Sequence, residues 1–154
     1  MSIRKNFSYN DMDQWLNDKR VTEIECLVPD LTGVARGKIL PRTKFTQERG
    51  MRLPEAVLGM TVTGNYPTDD EPYDRAISSI DRDMILKADP ETITLVPWAV
   101  DPTAQVIHDC FFGDGTLVDF APRSVLRKVV KLYEEKGWSP VVAPELEFYL
   151  TAKN

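Results

Sequence analysis

Apolar residues recur along this chain in two rhythms, the spacing of a helix and the alternation of a strand. Met12, Trp15 and Leu16 fall at i, i+3 and i+4, which predicts a short amphipathic helix. Ser8 suits its N-cap, Asp11 stands at the capping-box position, and Phe7 can staple onto Met12. Ile24, Cys26 and Val28 then alternate with polar or mixed residues, and a second run covers 34–40. Between them, Asp30-Leu31-Thr32-Gly33 has Asp first and Gly fourth. That is a type I turn signature, so the two runs predict a β-hairpin. Pro41 ends the second strand, and 43–49 predicts a short helix stopped by Gly50.

The middle of the chain is less regular. Ala56-Val57-Leu58-Gly59-Met60-Thr61-Val62 is a strand or a buried loop, and periodicity does not distinguish them. Prolines and acids dominate from 65 to 90, predicting a long surface excursion around a short strand or helix near 76–86. Strands follow at 92–96 and 105–112, separated by a turn at Asp101-Pro102. Pro122 then suits the N1 position of the strongest helix. Val125, Leu126, Val129, Val130, Leu132 and Tyr133 form its apolar face, Arg123, Lys128, Glu134 and Glu135 point away, and Gly137 supplies the stop.

The last run is Val141-Val142-Ala143-Pro144-Glu145-Leu146-Glu147-Phe148-Tyr149-Leu150. As a strand it puts Val142, Pro144, Leu146, Phe148 and Leu150 on one face. Glu145 and Glu147 share the other, roughly 7 Å apart at a rise of about 3.3 Å per residue. Like charges so placed need water or a cation. Either this is a half-buried strand with its carboxylates in solvent, or the two are hard oxygen ligands for Mg²⁺ or Mn²⁺.

Composition narrows the function classes. The 154 residues suit one domain, or a small domain with the start of another. A net charge of −5 leaves no electrostatic footprint for nucleic acid. No apolar run approaches the roughly 18 residues of a membrane span, and the N-terminus lacks the apolar region of a signal peptide. Cys26 and Cys110 are too few for a disulfide framework and read as buried, reduced thiols of a cytoplasmic protein. His108, the only histidine, has apolar neighbours and reads as structural. Gly113-Asp114-Gly115 is a turn without phosphate-loop spacing, and the acids Asp69, Asp70, Glu71 and Asp74 lack calcium-loop order. Arg36 and Lys38, on one face of the hairpin's second strand, read as solvated.

Taken together, the pieces resemble the glutamine synthetase family. Asp119-Phe120-Ala121-Pro122-Arg123-Ser124, the helix after it and the P-E-x-E-F strand resemble the family's D-P-R stretch and P-E-x-E-F-x-L strand. The hairpin Asp30-Leu31-Thr32-Gly33-Val34-Ala35-Arg36-Gly37-Lys38-Ile39-Leu40-Pro41 resembles D-x-x-G-x-x-R-G-K-x-x-P, a form typical of the branch with γ-glutamylpolyamine synthetases. The resemblance implies an α+β fold: a β-grasp-like N-terminal domain over 1–115, then the first helix and strand of a truncated catalytic domain over 116–154.

It also implies a homo-oligomeric ring whose N-terminal domains close their neighbours' sites. The reaction it implies joins glutamate to an amine at the expense of ATP through γ-glutamyl phosphate. Mg²⁺ or Mn²⁺ serves as cofactor, with Glu145 and Glu147 as metal ligands. Ammonia-using members carry an acid in an F-D-G-S-S-like loop. The corresponding Val57-Leu58-Gly59-Met60-Thr61-Val62 has none, so a polyamine or other primary amine is the expected acceptor. The remaining ligand and nucleotide residues are expected beyond Asn154, making this stretch alone inactive. The competing expectation is a stand-alone β-grasp module for protein binding or assembly, without catalysis.

Overall fold

The structure is a computed structural model that describes residues 6–67, 77 and 80–153. The acids at 69–71 and 74 lie outside the described residues. Helix α1 (Tyr9–Asp18) opens with the expected capping box, in which the Ser8 hydroxyl accepts from the Asp11 amide and Asp11 accepts from the Ser8 amide. Met12 and Leu16 on its inner face are fully buried, and Phe7 packs against the same core.

The hairpin forms as predicted. β1 (Glu23–Pro29) pairs antiparallel with β2 (Ala35–Pro41) around the Asp30–Gly33 turn. Gly37 is required here, because a Cβ at that position would lie 1.8 Å from the Cys26 carbonyl oxygen. Helix α2 (Arg42–Glu48) then buries Phe45. Its left-handed terminal residue is Arg49, not Gly50. Gly50 instead begins β3 (Gly50–Pro54), where a Cβ would meet the Leu86 carbonyl oxygen at 2.0 Å. The glycine read as a helix stop is a close-approach glycine of a strand.

The ambiguous apolar run resolves into a 3-10 turn at Glu55–Gly59. The short element near 76–86 is β4 (Asp83–Ala88). A 3-10 turn at Pro90–Thr92, capped by the Asp89 side chain, takes the first part of the 92–96 strand and leaves only β5 (Thr94–Leu95). β6 (Thr103–Phe111) is the long central strand.

The sheet runs β2-β1-β6-β4-β3, with β5 also on β6. β6 is parallel to β1 and antiparallel to β4 and β5. The core is built from alternate residues of these strands, including Ile24, Cys26 and Val28 on β1, Met84 and Leu86 on β4, and Ala104, Val106 and Cys110 on β6. The outer strands approach each other, since the Lys38 ammonium on β2 donates to the Arg52 carbonyl on β3 at 2.8 Å. After a turn at Gly113–Gly115, helix α3 (Pro122–Glu134) leaves the sheet with Pro122 in its first turn. No helix among the described residues is long and apolar enough to cross a membrane.

Candidate functional site

Among the described residues, the paired carboxylates of the C-terminal run meet no further group that would complete a metal site. Residues 139–153 form no strand. Val142, Leu146, Phe148 and Leu150, the expected buried face, are 80, 95, 78 and 91% exposed. The strand expectation fails for a physical reason. An extended segment is held by ladder hydrogen bonds to a neighbour, and no described strand lies beside this one. Glu145 and Glu147 are exposed. Among the described residues, no group of three or more His, Cys, Asp or Glu side chains is placed to hold a metal ion. Their donor chemistry fits a hard cation, but two carboxylates are only part of a coordination shell.

What the fold does assemble begins at the hairpin turn. The buried Asp30 carboxylate accepts from the Thr32 amide and hydroxyl and the Val34 amide on Oδ1, and from Arg36 Nε at 2.7 Å on Oδ2. Burial alone would raise this carboxyl, but the hydrogen bonds from Thr32, Arg36 and Val34 outweigh it and hold it below the usual carboxylate range. Arg36 also donates from Nη2 to the Thr61 carbonyl at 2.8 Å, and the Leu31 amide donates to the Leu58 carbonyl. The tip of the hairpin is thereby fastened to 55–65. Arg36 and Lys38 are therefore not simply solvated: one joins a buried ion pair and the other bridges the sheet edges.

Two carboxylates among the described residues are engaged beside that stretch. Buried Glu55 lies 3.7 Å from Arg82, and Asp81 accepts from the Ala56 amide at 3.1 Å.

A second cluster joins α3 to the sheet. Arg123 donates from Nε to Asp109 at 2.8 Å and from Nη2 to Asp89, while Arg127 donates to Asp109 at 2.9 Å and Asp89 at 3.2 Å. Two guanidinium groups thus meet two carboxylates on β6 and the 3-10 turn. The expectation that Arg123 points away from the protein is overturned. The inward-facing part of α3 is its first turn, where Ser124 is buried, whereas Val125, Leu126, Val129, Leu132 and Tyr133 remain exposed.

The lone histidine is structural. His108 is fully buried, its ring meets Phe45 edge-on at 6.3 Å, and Nδ1 lies 3.2 Å from the Val106 carbonyl oxygen. Burial pushes its pKa down to about 4, so the ring is neutral at pH 7. Burial likewise pushes the Cys26 and Cys110 thiols up to about 12, which removes them as nucleophiles. The Arg123–Arg127 spacing of four residues was a visible sign of a shared helix face. No local pattern announced that Asp89 and Asp109 would meet it.

Residues 119–154 match a family model described as "Glutamine synthetase, catalytic domain". The chain is 32% identical over 130 residues to "Gamma-glutamylputrescine synthetase PuuA" of Escherichia coli, covering 82% of this chain and 26% of that protein. It is 31% identical over 138 residues to a glutamine synthetase of Pyrococcus horikoshii, covering 88% and 27%. It thus spans about a quarter of the length of the curated relatives it matches. A solved structure titled "GmaS/ADP complex-Conformation 1" superposes with a TM-score of 0.64 at 21% identity, over 82% of this chain and 26% of that one. That likeness shows the mixed α+β fold.

Proposed function

The chain belongs to the glutamine synthetase family, and from that membership we propose that it is the N-terminal part of an ATP-dependent glutamate–amine ligase. In this reading 1–115 is a β-grasp domain and 116–154 opens the catalytic domain. The sheet order supports the first assignment, since a central strand parallel to β1 lies between the β1–β2 hairpin and the β4–β3 pair. The start of the catalytic-domain match at residue 119 supports the second.

Glutamate is activated as γ-glutamyl phosphate, and a polyamine or other primary amine takes the acyl group in preference to ammonia. The observation that carries this choice is the 55–65 stretch. Val57 to Val62 has no carboxylate, and the neighbouring Glu55 and Asp81 are taken up by Arg82 and the Ala56 amide. A small ammonium ion needs a free anionic partner there; a larger amine can use several weaker contacts. The Asp30–Arg36–Thr61 chain of hydrogen bonds holds the stretch in position.

Glu145 and Glu147 would hold Mg²⁺ or Mn²⁺, which when bound neutralises phosphate charge and orients the reacting oxygens. Assembly of that site requires partner strands for 141–150, and the 154 residues alone do not turn over. The relatives' shared family supports a homo-oligomeric ring in the cytoplasm. Steady-state phosphate release by the full-length polypeptide, with ATP, glutamate and either ammonia, putrescine or ethanolamine, tests the acceptor. Putrescine or ethanolamine should give the higher kcat/KM. Clear preference for ammonia would overturn the reading.

A further inference from the structure

One concavity of the sheet module concentrates charge of the sign opposite to the whole chain. The protein carries 24 acids against 19 bases. Yet the groove between β2 and α2 on one side and β3–β4 on the other is lined by Lys38, Lys44, Arg49, Arg52 and Lys87, with Glu48 the single acid. We propose that this groove binds a small, multiply charged organic oxyanion with an apolar body.

The cations are weakly compensated. Glu48 meets Lys44 at 3.6 Å with both side chains half exposed, a pair of little net strength. Arg49 shares Asp13 at 3.3 Å and lies over the Tyr9 ring. The Lys38 ammonium donates to a carbonyl, which satisfies a hydrogen bond and leaves the charge. Lys87 sits 4.4 Å over the Phe111 ring. Among the described residues, no carboxylate forms an ion pair with Lys38, Arg52 or Lys87.

Like charges gathered around low-dielectric walls focus a positive potential into the space between them. An anion entering there relieves their repulsion, and two guanidinium forks match the paired oxygens of a carboxylate or phosphate. The partly exposed Tyr9 ring and Ile85 side chain supply the apolar surface. At about 780 Å³ the groove is in the size class of small-molecule sites. The cations ring one concavity instead of forming a stripe, and the chain is acidic overall, which disfavours a nucleic-acid backbone as occupant.

Calorimetric titration of the 154-residue protein at about 20 mM salt, with naphthyl phosphate, inorganic phosphate and citrate in turn, tests the site. Naphthyl phosphate should bind saturably, and citrate, which carries the charge without an apolar body, more weakly; citrate binding the tighter would overturn the apolar body. R52Q/K87Q should weaken naphthyl phosphate binding by about tenfold or more, the effect of losing one charged hydrogen bond. K128Q/K131Q, which removes the same charge from α3, should leave it within about twofold. The ligand should also raise the melting temperature of the parent protein and not of R52Q/K87Q, whose own melt in buffer reports that it folds. Absence of saturable binding by all three probes would overturn the site, as would equal losses in the two double variants. Inorganic phosphate binding as tightly as naphthyl phosphate would overturn the apolar body.

Discussion

Two stretches of this chain alternate apolar and polar residues with comparable regularity and meet different fates. In β6, Ala104, Val106, His108 and Cys110 are buried while Gln105, Ile107 and Asp109 are only partly so. In 141–150 every residue is exposed. β6 has β1 along one edge and β4 with β5 along the other; among the described residues the C-terminal run has no strand on either. Alternation therefore specifies which residues share a face. Whether the strand exists depends on neighbours that repay the loss of backbone freedom, about 1–2 kcal/mol per residue.

The contrast breaks most visibly by truncating one ring in each region. Phe45→Ala, which empties the fully buried space beside His108, should destabilise the protein by about 3–5 kcal/mol in urea unfolding. Phe148→Ala should stay within about 0.5 kcal/mol. A larger effect there would mean that 141–150 packs in solution.

The hairpin hub comes next. Arg36→Met leaves the Asp30 carboxylate buried without its cation and should cost about 3 kcal/mol. A loss below about 1 kcal/mol would show that Thr32 and Val34 suffice.

Acid sharpens the comparison without a mutation in the tail. His108 has an ordinary pKa of 6.5 and a folded value of about 4, so the unfolded chain takes up a proton that the folded one refuses. Stability should therefore fall as pH drops from about 6.5 to about 4, by no more than about 3 kcal/mol. His108→Gln should flatten that segment of the urea-midpoint profile. Asp30 acts in a lower window: its folded pKa lies below 3.8, so its contribution is present above that value and is lost as pH falls through the folded one.

The effect at α3 should be local. Arg123→Gln should raise amide exchange at Val125, whose amide donates to the Ala121 carbonyl, and in the turn after it by about tenfold, or about 1.4 kcal/mol, with little change in the global midpoint. Unchanged exchange would mean that Ser124 burial holds the helix unaided.

Much of the module is legible in the chain because its signals are local. Ser8 with Asp11, the Asp30–Gly33 turn, Pro122 at the start of α3 and the alternation of β6 each act within a few residues. What escapes is set at a distance. Arg36 reaches Thr61, Arg123 reaches Asp89, and Gly50 is required by the backbone of Leu86. The Glu145–Glu147 reading shares this limit, since periodicity placed both carboxylates on one face of a strand that the described chain does not form.

The position of β6 has a consequence for the order of folding. Its partner β1 lies 80 residues earlier, with Thr103 opposite Glu23. Strands from both halves of the sheet must therefore wait for the central one, which is also the last of this sheet's described strands to be synthesised. Until Phe111 is available, β1–β2 and β3–β4 can form only as separate antiparallel pairs, each with an unpaired edge. Closing the centre is a long-range step, of the kind that slows folding. Chains ending before about residue 112 should consequently aggregate as half-sheets, and those ending just after it should be the shortest able to fold.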